Sequence, residues 1–265
     1  MTNSLRITVF QTNIIWENPT ENLVHYGETL LQLQANETDV LVLPEMFATG
    51  FTMNAAAVAE TMDGQAVHWM QSQAQRLNCA VTGSLVMEEN GQYFNRMLWV
   101  LPDGSQEHYD KRHLFRMAKE HHTYEAGNAQ KTVNYKGWNI RLQVCYDLRF
   151  PVFSRNAAPD TANHYDLMIY VANWPAVRRY PWQTLLKARA IENLAYVVGV
   201  NRVGKDGKGF TYSGDSAVID YKGEVLWEKS HNAALHTHTL GKQALSDFRQ
   251  KFPAWMDADG FELKI

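Results

Sequence analysis

Only two cysteines, Cys79 and Cys145, occur in 265 residues, which excludes a disulfide framework and fits a reducing compartment. Long apolar runs are missing too. No stretch approaches the roughly 20 residues that a membrane helix needs, so no membrane partner is expected. The opening Met1-Thr-Asn-Ser-Leu-Arg-Ile has no apolar segment of signal-peptide length, and a cytoplasmic location is expected. Basic blocks are absent, and 25 Lys and Arg against 28 Asp and Glu give a net charge of -3, which argues against a nucleic-acid surface. The 10 histidines include the pairs His121-His122 and His236-Thr-His238, neither with the spacing of a zinc site, so no metal is expected. No Pro/Gly/Ser-rich linker or internal repeat divides the chain, which favours one domain.

What is present supports a large buried core, with 45% apolar and 20% charged residues. Leu5–Phe10 alternates and is rich in β-branched residues, the pattern of a strand. Asn18 can cap a following helix and Pro19 suits its first turn, with Leu23, Tyr26, Leu30 and Leu31 on one face. Asp39–Leu43, Cys79–Val86 and Asp166–Ala172 read as strands buried on both faces. Gly64–Leu77 and Pro181–Leu194 read as helices, and Ala195–Val203 as a further strand. Hairpins are predicted around Pro102-Asp-Gly-Ser105, Lys136-Gly137 and Tyr221-Lys-Gly223. This mixture of βα units and hairpins predicts an α/β fold with mixed sheets. Residues 243–265, with the aromatic but non-periodic Phe252-Pro-Ala-Trp255, are expected to form a tail packing outside the core.

Three polar residues stand at or just beyond strand-like runs. Cys145 closes Asn139-Ile-Arg-Leu-Gln-Val-Cys-Tyr-Asp-Leu-Arg-Phe-Pro151, Glu45 lies in Leu41-Val-Leu-Pro-Glu-Met-Phe47, and Lys111 lies in Tyr109-Asp-Lys-Arg-His-Leu-Phe115. Taken singly, each has an ordinary structural reading: a core thiol, a turn carboxylate, a solvated amine. Brought together, they form a nucleophile with a base and an oxyanion partner. A free thiol, with a pKa of about 8.5, is only a few per cent thiolate at neutral pH and needs such company. Cys79, inside an apolar strand, is assigned to the core. Arg189 and Glu192, three apart on a helix, suit a structural ion pair.

These segments, with Ala172-Asn-Trp-Pro175, Lys187-Ala-Arg-Ala-Ile-Glu-Asn193 and Tyr212-Ser-Gly-Asp-Ser216, stand in the order found in the nitrilase superfamily of carbon–nitrogen hydrolases, which the chain resembles over residues 5 to 240. Within it the chain is most similar to the ω-amidases, the bacterial 2-oxoglutaramate amidases in particular. The resemblance implies a four-layer αββα sandwich over residues 1–242, a homodimer that extends the layers and offers one place for the 243–265 tail, and no cofactor. It implies Glu45 as general base, Lys111 as catalytic lysine and Cys145 as nucleophile. Glu120 matches the second glutamate that supports the lysine, with Glu125 as its competitor. The implied substrate is the terminal amide of a small dicarboxylic acid monoamide, hydrolysed through a thioester.

The N–H of Tyr146 is a candidate oxyanion donor, and Asn173 and Trp174, after a buried strand, are candidates for the substrate pocket, where open α/β sheets commonly place ligands. Trp174 suits a core role equally. Arg149, Arg116 and Arg178 are candidates for the distal carboxylate, because a guanidinium pairs with one bidentately. Two other readings stand beside this one. The first is a superfamily hydrolase acting on a nitrile, an N-carbamoyl compound or a different amide. The second is a catalytically silent binding homologue.

Overall fold

The structure, a computed structural model, describes residues 3–156 and 164–264. In chain order, β1 (Ser4–Gln11), α1 (Pro19–Leu30), β2 (Val40–Val42), α2 (Ala55–Val58), α3 (Gln65–Leu77), β3 (Ala80–Glu89), β4 (Gln92–Val100) and β5 (Gln106–Asp110) form the first half. The second half holds β6 (Lys131–Tyr135), β7 (Trp138–Val144), α4 (Pro151–Ser154), β8 (Leu167–Ala172), α5 (Arg179–Asn193) and β9 (Tyr196–Asn201). It continues with β10 (Val203–Lys205), β11 (Thr211–Ile219), β12 (Val225–Ser230), β13 (Ala234–Gly241) and α6 (Lys242–Lys251).

The strands make two mixed sheets, one ordered β13-β1-β2-β3-β4-β5 and the other β10-β11-β9-β8-β7-β6, with β12 paired to β11. Strands β1, β2 and β3 run parallel, as do β7, β8 and β9, while hairpin partners flank each trio. Side-chain alternation then dictates the layers. Val40 and Val42 of β2, Leu167, Ile169 and Val171 of β8, and Val198 and Val200 of β9 pack in the core between the sheets. Their neighbours face the other way. Leu41 joins Leu23, Tyr26, Val67, Met70 and Ala74 under α1 and α3, and Met168, Tyr170 and Val197 join Trp182, Leu186 and Ala190 under α5. The result is a helix–sheet–sheet–helix sandwich.

Local signals account for the helix ends. Asn18 Oδ1 accepts the Glu21 N–H and Pro19 takes the first helical position of α1. Helix α3 has no capping side chain of its own, and Glu60 accepts the N–H groups of Ala66 and Val67 instead. Three expectations need correction. Leu31 is 67% exposed rather than on the buried face of α1, because the helix ends at Leu30 and the next residue turns away. No element was expected at 234–241 or 242–251, where β13 pairs antiparallel with β1 and α6 follows it directly. Helix α6 buries Leu245 in the core between the sheets.

Candidate active site

Glu45 lies three residues beyond β2, Lys111 directly after β5, Cys145 directly after β7 and Asn173 directly after β8. The first two elements belong to one sheet and the last two to the other, so the site straddles the gap between the sheets at the strands' carboxyl ends. Glu45 and Glu120 are fully buried and Lys111 is 1% exposed, overturning a solvated reading of the lysine. Lys111 Nζ lies 2.9 Å from Glu45 Oε1 and 2.9 and 3.0 Å from the two oxygens of Glu120. It also stands 5.1 Å above the centre of the Phe51 ring. Glu120 is therefore the glutamate in contact with the lysine, and Glu125 is exposed.

Each group is held by its backbone surroundings. The Lys111 N–H donates to Asn95 O, and the Gly127 N–H donates to Lys111 O. A side chain at position 127 would overlap the Asp110 carbonyl, which explains glycine there. The Phe115 N–H donates to Glu120 Oε2. Glu45 Oε2 accepts the Asn173 N–H at 2.7 Å, and the Asn173 side-chain amide donates to the Glu45 carbonyl, so the two sheets are joined through the carboxylate. Asn173 lines the cavity, and its buried Oδ1 has no partner among the described residues.

Cys145 opens a one-turn helix, Cys145–Arg149, with its backbone at φ +45°, and Met46, next to Glu45, has φ +42°. Both lie in the left-handed region that costs a non-glycine residue on the order of 1–3 kcal/mol and recurs at functional sites. Asp147, fully buried, holds this turn: its carboxylate accepts from Val144 N, Tyr109 Oη, His113 N and His113 Nδ1 at 2.7–3.0 Å. His113 stacks on Phe150 with centroids 3.8 Å apart. Arg189 supports the turn from behind, donating to Leu148 O at 2.6 Å while paired with Glu192 at 2.9 Å.

The electrostatics follow from burial with unequal charge. Burial alone would lower the Lys111 pKa, but the charges of Glu120 and Glu45 more than offset it and hold the ammonium above the ordinary lysine range. Burial, then the charge of Glu45, pushes the Cys145 thiol well up, against Lys111. Both effects favour the neutral thiol over the thiolate. Burial also raises Glu120, opposed chiefly by Lys111. Cys79 is a core thiol, fully buried and pushed by desolvation to about 12.

Above the thiol opens a cavity of about 210 Å³, lined by all three groups and by Tyr146, Asn173 and Trp174. Trp174 is both wall and core: it is 4% exposed, packs at 5.4 Å on Trp182 and donates Nε1–H to Arg178 O. Arg149 and Arg178 reach the cavity, stacked over Trp174 and Phe115 at 5.1 and 5.3 Å, and neither has a carboxylate partner among the described residues. Arg116 is exposed and outside it. Sequence reasoning missed the opposite rim, where Asp206, Lys208 and Phe210 lie in the β10–β11 connection and Tyr212 in β11. Asp206 shapes that connection by accepting Lys208 N, Phe210 N and Tyr212 Oη at 2.8–2.9 Å. The Gly-Lys-Gly run was its one local signal.

The family described as carbon-nitrogen hydrolase matches residues 6–250. The chain is 49% identical over 260 residues to the omega-amidase YafV of Escherichia coli K12, covering 98% of each. It is 30% identical over 254 residues to the 2-oxoglutaramate amidase of Bacillus subtilis, covering 95% of this chain and 96% of that one. The crystal structure of XC1258 from Xanthomonas campestris, a CN-hydrolase superfamily protein with an arsenic adduct in its active site, superposes with a TM-score of 0.96 at 47% identity, covering 99% of this chain and 100% of that one.

Proposed function

This chain belongs to the carbon-nitrogen hydrolase family and is a hydrolase of amide carbon–nitrogen bonds, and on that premise we propose that it is an ω-amidase with Cys145 as nucleophile. Its substrate is then a small dicarboxylic acid monoamide such as 2-oxoglutaramate, converted to 2-oxoglutarate and ammonia. The observation that carries this reading is a thiol beside a buried carboxylate–ammonium pair, all lining one cavity that two arginines without a carboxylate partner among the described residues reach. Arg149 and Arg178 take the distal carboxylate, and Trp174 bounds the acyl chain.

As the sulfur attacks the amide carbon, the S–H proton passes to Glu45 and the carbonyl oxygen becomes an oxyanion. Lys111 and the Tyr146 N–H, which lies in a first helical turn and lacks an intrahelical acceptor, stabilise it. Glu45 returns the proton to the departing nitrogen, which leaves as ammonia and yields a Cys145 thioester. The unpartnered Asn173 Oδ1 orients that nitrogen by accepting one of its hydrogens. Glu45 then deprotonates a water that attacks the thioester. Collapse expels the sulfur, which regains its proton from Glu45. Glu120 keeps Lys111 charged and oriented throughout.

Ammonia release from 2-oxoglutaramate, glutamine, simple aliphatic amides and nitriles tests this, with Cys145→Ala beside each. 2-Oxoglutaramate is expected to be turned over best and the variant to be inactive. Preference for a nitrile or an N-carbamoyl compound would discard the substrate, and an active Cys145→Ala enzyme would discard the nucleophile. We further propose a cytoplasmic homodimer. Both cysteines are free thiols, and among the described residues no helix is long and apolar enough to cross a membrane. Light scattering at the monomer mass of 30.4 kDa would refute the dimer.

A further inference from the structure

Asn95 enters no step above, yet it touches both carboxylates of the site. It sits in β4 and is fully buried. Its Nδ2 lies 2.8 Å from Glu45 Oε1 and 3.3 Å from Glu120 Oε1, the same two oxygens that Lys111 Nζ contacts at 2.9 Å each. Lys111 and Asn95 thus close a ring with the two glutamates, one donor charged and one neutral. The backbone carbonyl of Asn95 also accepts the Lys111 N–H at 3.0 Å, so one residue fixes the amine's main chain and both of its counter-ions.

One ammonium faces two carboxylates with no bulk water between them. Like-charged carboxylates in such a place tend to capture a proton and share it. A captured proton would occupy the oxygen that has to receive hydrogen from the thiol. The partners of both groups count against capture. Glu120 accepts from Lys111 Nζ on both oxygens, from Asn95 Nδ2 and from Phe115 N. Glu45 accepts from Lys111 Nζ, Asn95 Nδ2 and Asn173 N. Each of these hydrogen bonds presents a donor hydrogen to a carboxylate oxygen, which favours the ionised form of both groups. The remaining ionisable neighbours are Tyr124, whose hydroxyl donates to Thr52 O, and Tyr212, whose hydroxyl donates to Asp206. Both give their hydrogens to these other acceptors rather than to either glutamate.

We propose that Asn95 is the positioning residue that keeps Glu45 and Glu120 ionised together, as the neutral donor that lets two carboxylates share one lysine without sharing a proton. It acts through Glu45 and touches neither substrate nor thiol. The inference rests on the assignment of Glu45 as base only for its kinetic consequence; the protonation state it predicts stands without that assignment.

Two variants and two readouts test it. In Asn95→Leu, infrared spectra at neutral pH are expected to gain the C=O band of one buried protonated carboxyl, absent from the wild type and lost again in Asn95→Leu/Glu120→Gln. On whichever amide the wild type hydrolyses, kcat is expected to fall at least about 100-fold with KM within about threefold. The acid limb of the kcat/KM profile should move up by about one pH unit or more. Asn95→Asp preserves shape and the main-chain bond to Lys111 but replaces the donor with a third carboxyl, and the same loss and the same displaced limb are expected. If Asn95 merely packs, Asn95→Asp will keep its activity within a few-fold and its acid limb in place, and Asn95→Leu will show a lower thermal midpoint with no new infrared band. Either result overturns the proposal. Should the wild type hydrolyse no amide, the catalytic reading fails while the infrared comparison still decides the role of Asn95.

Discussion

At the residue scale, the chemistry lies in a few buried groups whose removal should affect rate far more than stability. Glu45→Gln keeps the shape but removes the proton acceptor, and a loss of at least about 1,000-fold in kcat is expected with KM little changed. Its thermal midpoint should fall modestly, because the new amide N–H2 faces the donors of Lys111, Asn95 and Asn173 where an acceptor stood. Steady-state kinetics with differential scanning fluorimetry checks both, and a variant that loses rate only in proportion to its unfolded fraction would contradict the assignment. Cys145, Glu45 and Lys111 were legible because each stands at or just beyond a strand-like run inside a motif of the resembled family, and Glu120 through its spacing to Tyr124 and Gly127. Asn95 was not. It introduces a strand in the sequence, and an asparagine there looks like a turn residue until Glu45, 50 positions earlier, folds against it.

At the scale of the element, the turn that carries the thiol depends on Asp147. Asp147→Ala would leave Tyr109 Oη, Val144 N and His113 N short of an acceptor inside the protein. Breaking a buried hydrogen-bonded charge in this way costs about 3–5 kcal/mol, measurable as a lower urea midpoint. Far from the site, Asp39 ties β2 to β1 and to the β6–β7 turn through Arg6 and Lys136. Burial opposes ionisation of Asp39, but these two cations hold its pKa down at about 2. A depressed folded-state pKa means that the stabilisation is present above the unfolded value near 3.8 and is lost as pH falls through about 2. With screening by the half-exposed partners, it is on the order of 1–2 kcal/mol. Asp39→Asn should therefore be less stable than wild type at pH 7, and the gap should close in acid. Urea titrations at several pH values test this, and a gap independent of pH would refute it. Elements with one clear period were readable. Strand β13 was not, because His236, stacked on Trp227, and His238 beside it share the face of the core residue Leu240 and break its apolar pattern.

At the scale of the whole molecule, alternating Val, Ile and Leu along β2, β8 and β9 made two-faced burial visible, whereas strand order was not. Which edges meet depends on crossovers between segments as distant as β1 and β13, and composition carries no record of that. The layer between the sheets should be the most sensitive part of the fold. Ile169→Ala, fully buried in that layer, is expected to cost about 2–5 kcal/mol in urea unfolding. The bond from Asn173 N to Glu45 Oε2 gives that layer a second significance. Thiol and carboxylate hang from opposite sheets, so their separation is set by the thickness of hydrocarbon between the two. Turnover is then a gauge of that thickness. A swap such as Val198→Ile, many residues from the thiol, should then cost turnover as well as stability, by spreading the enzyme's jaws.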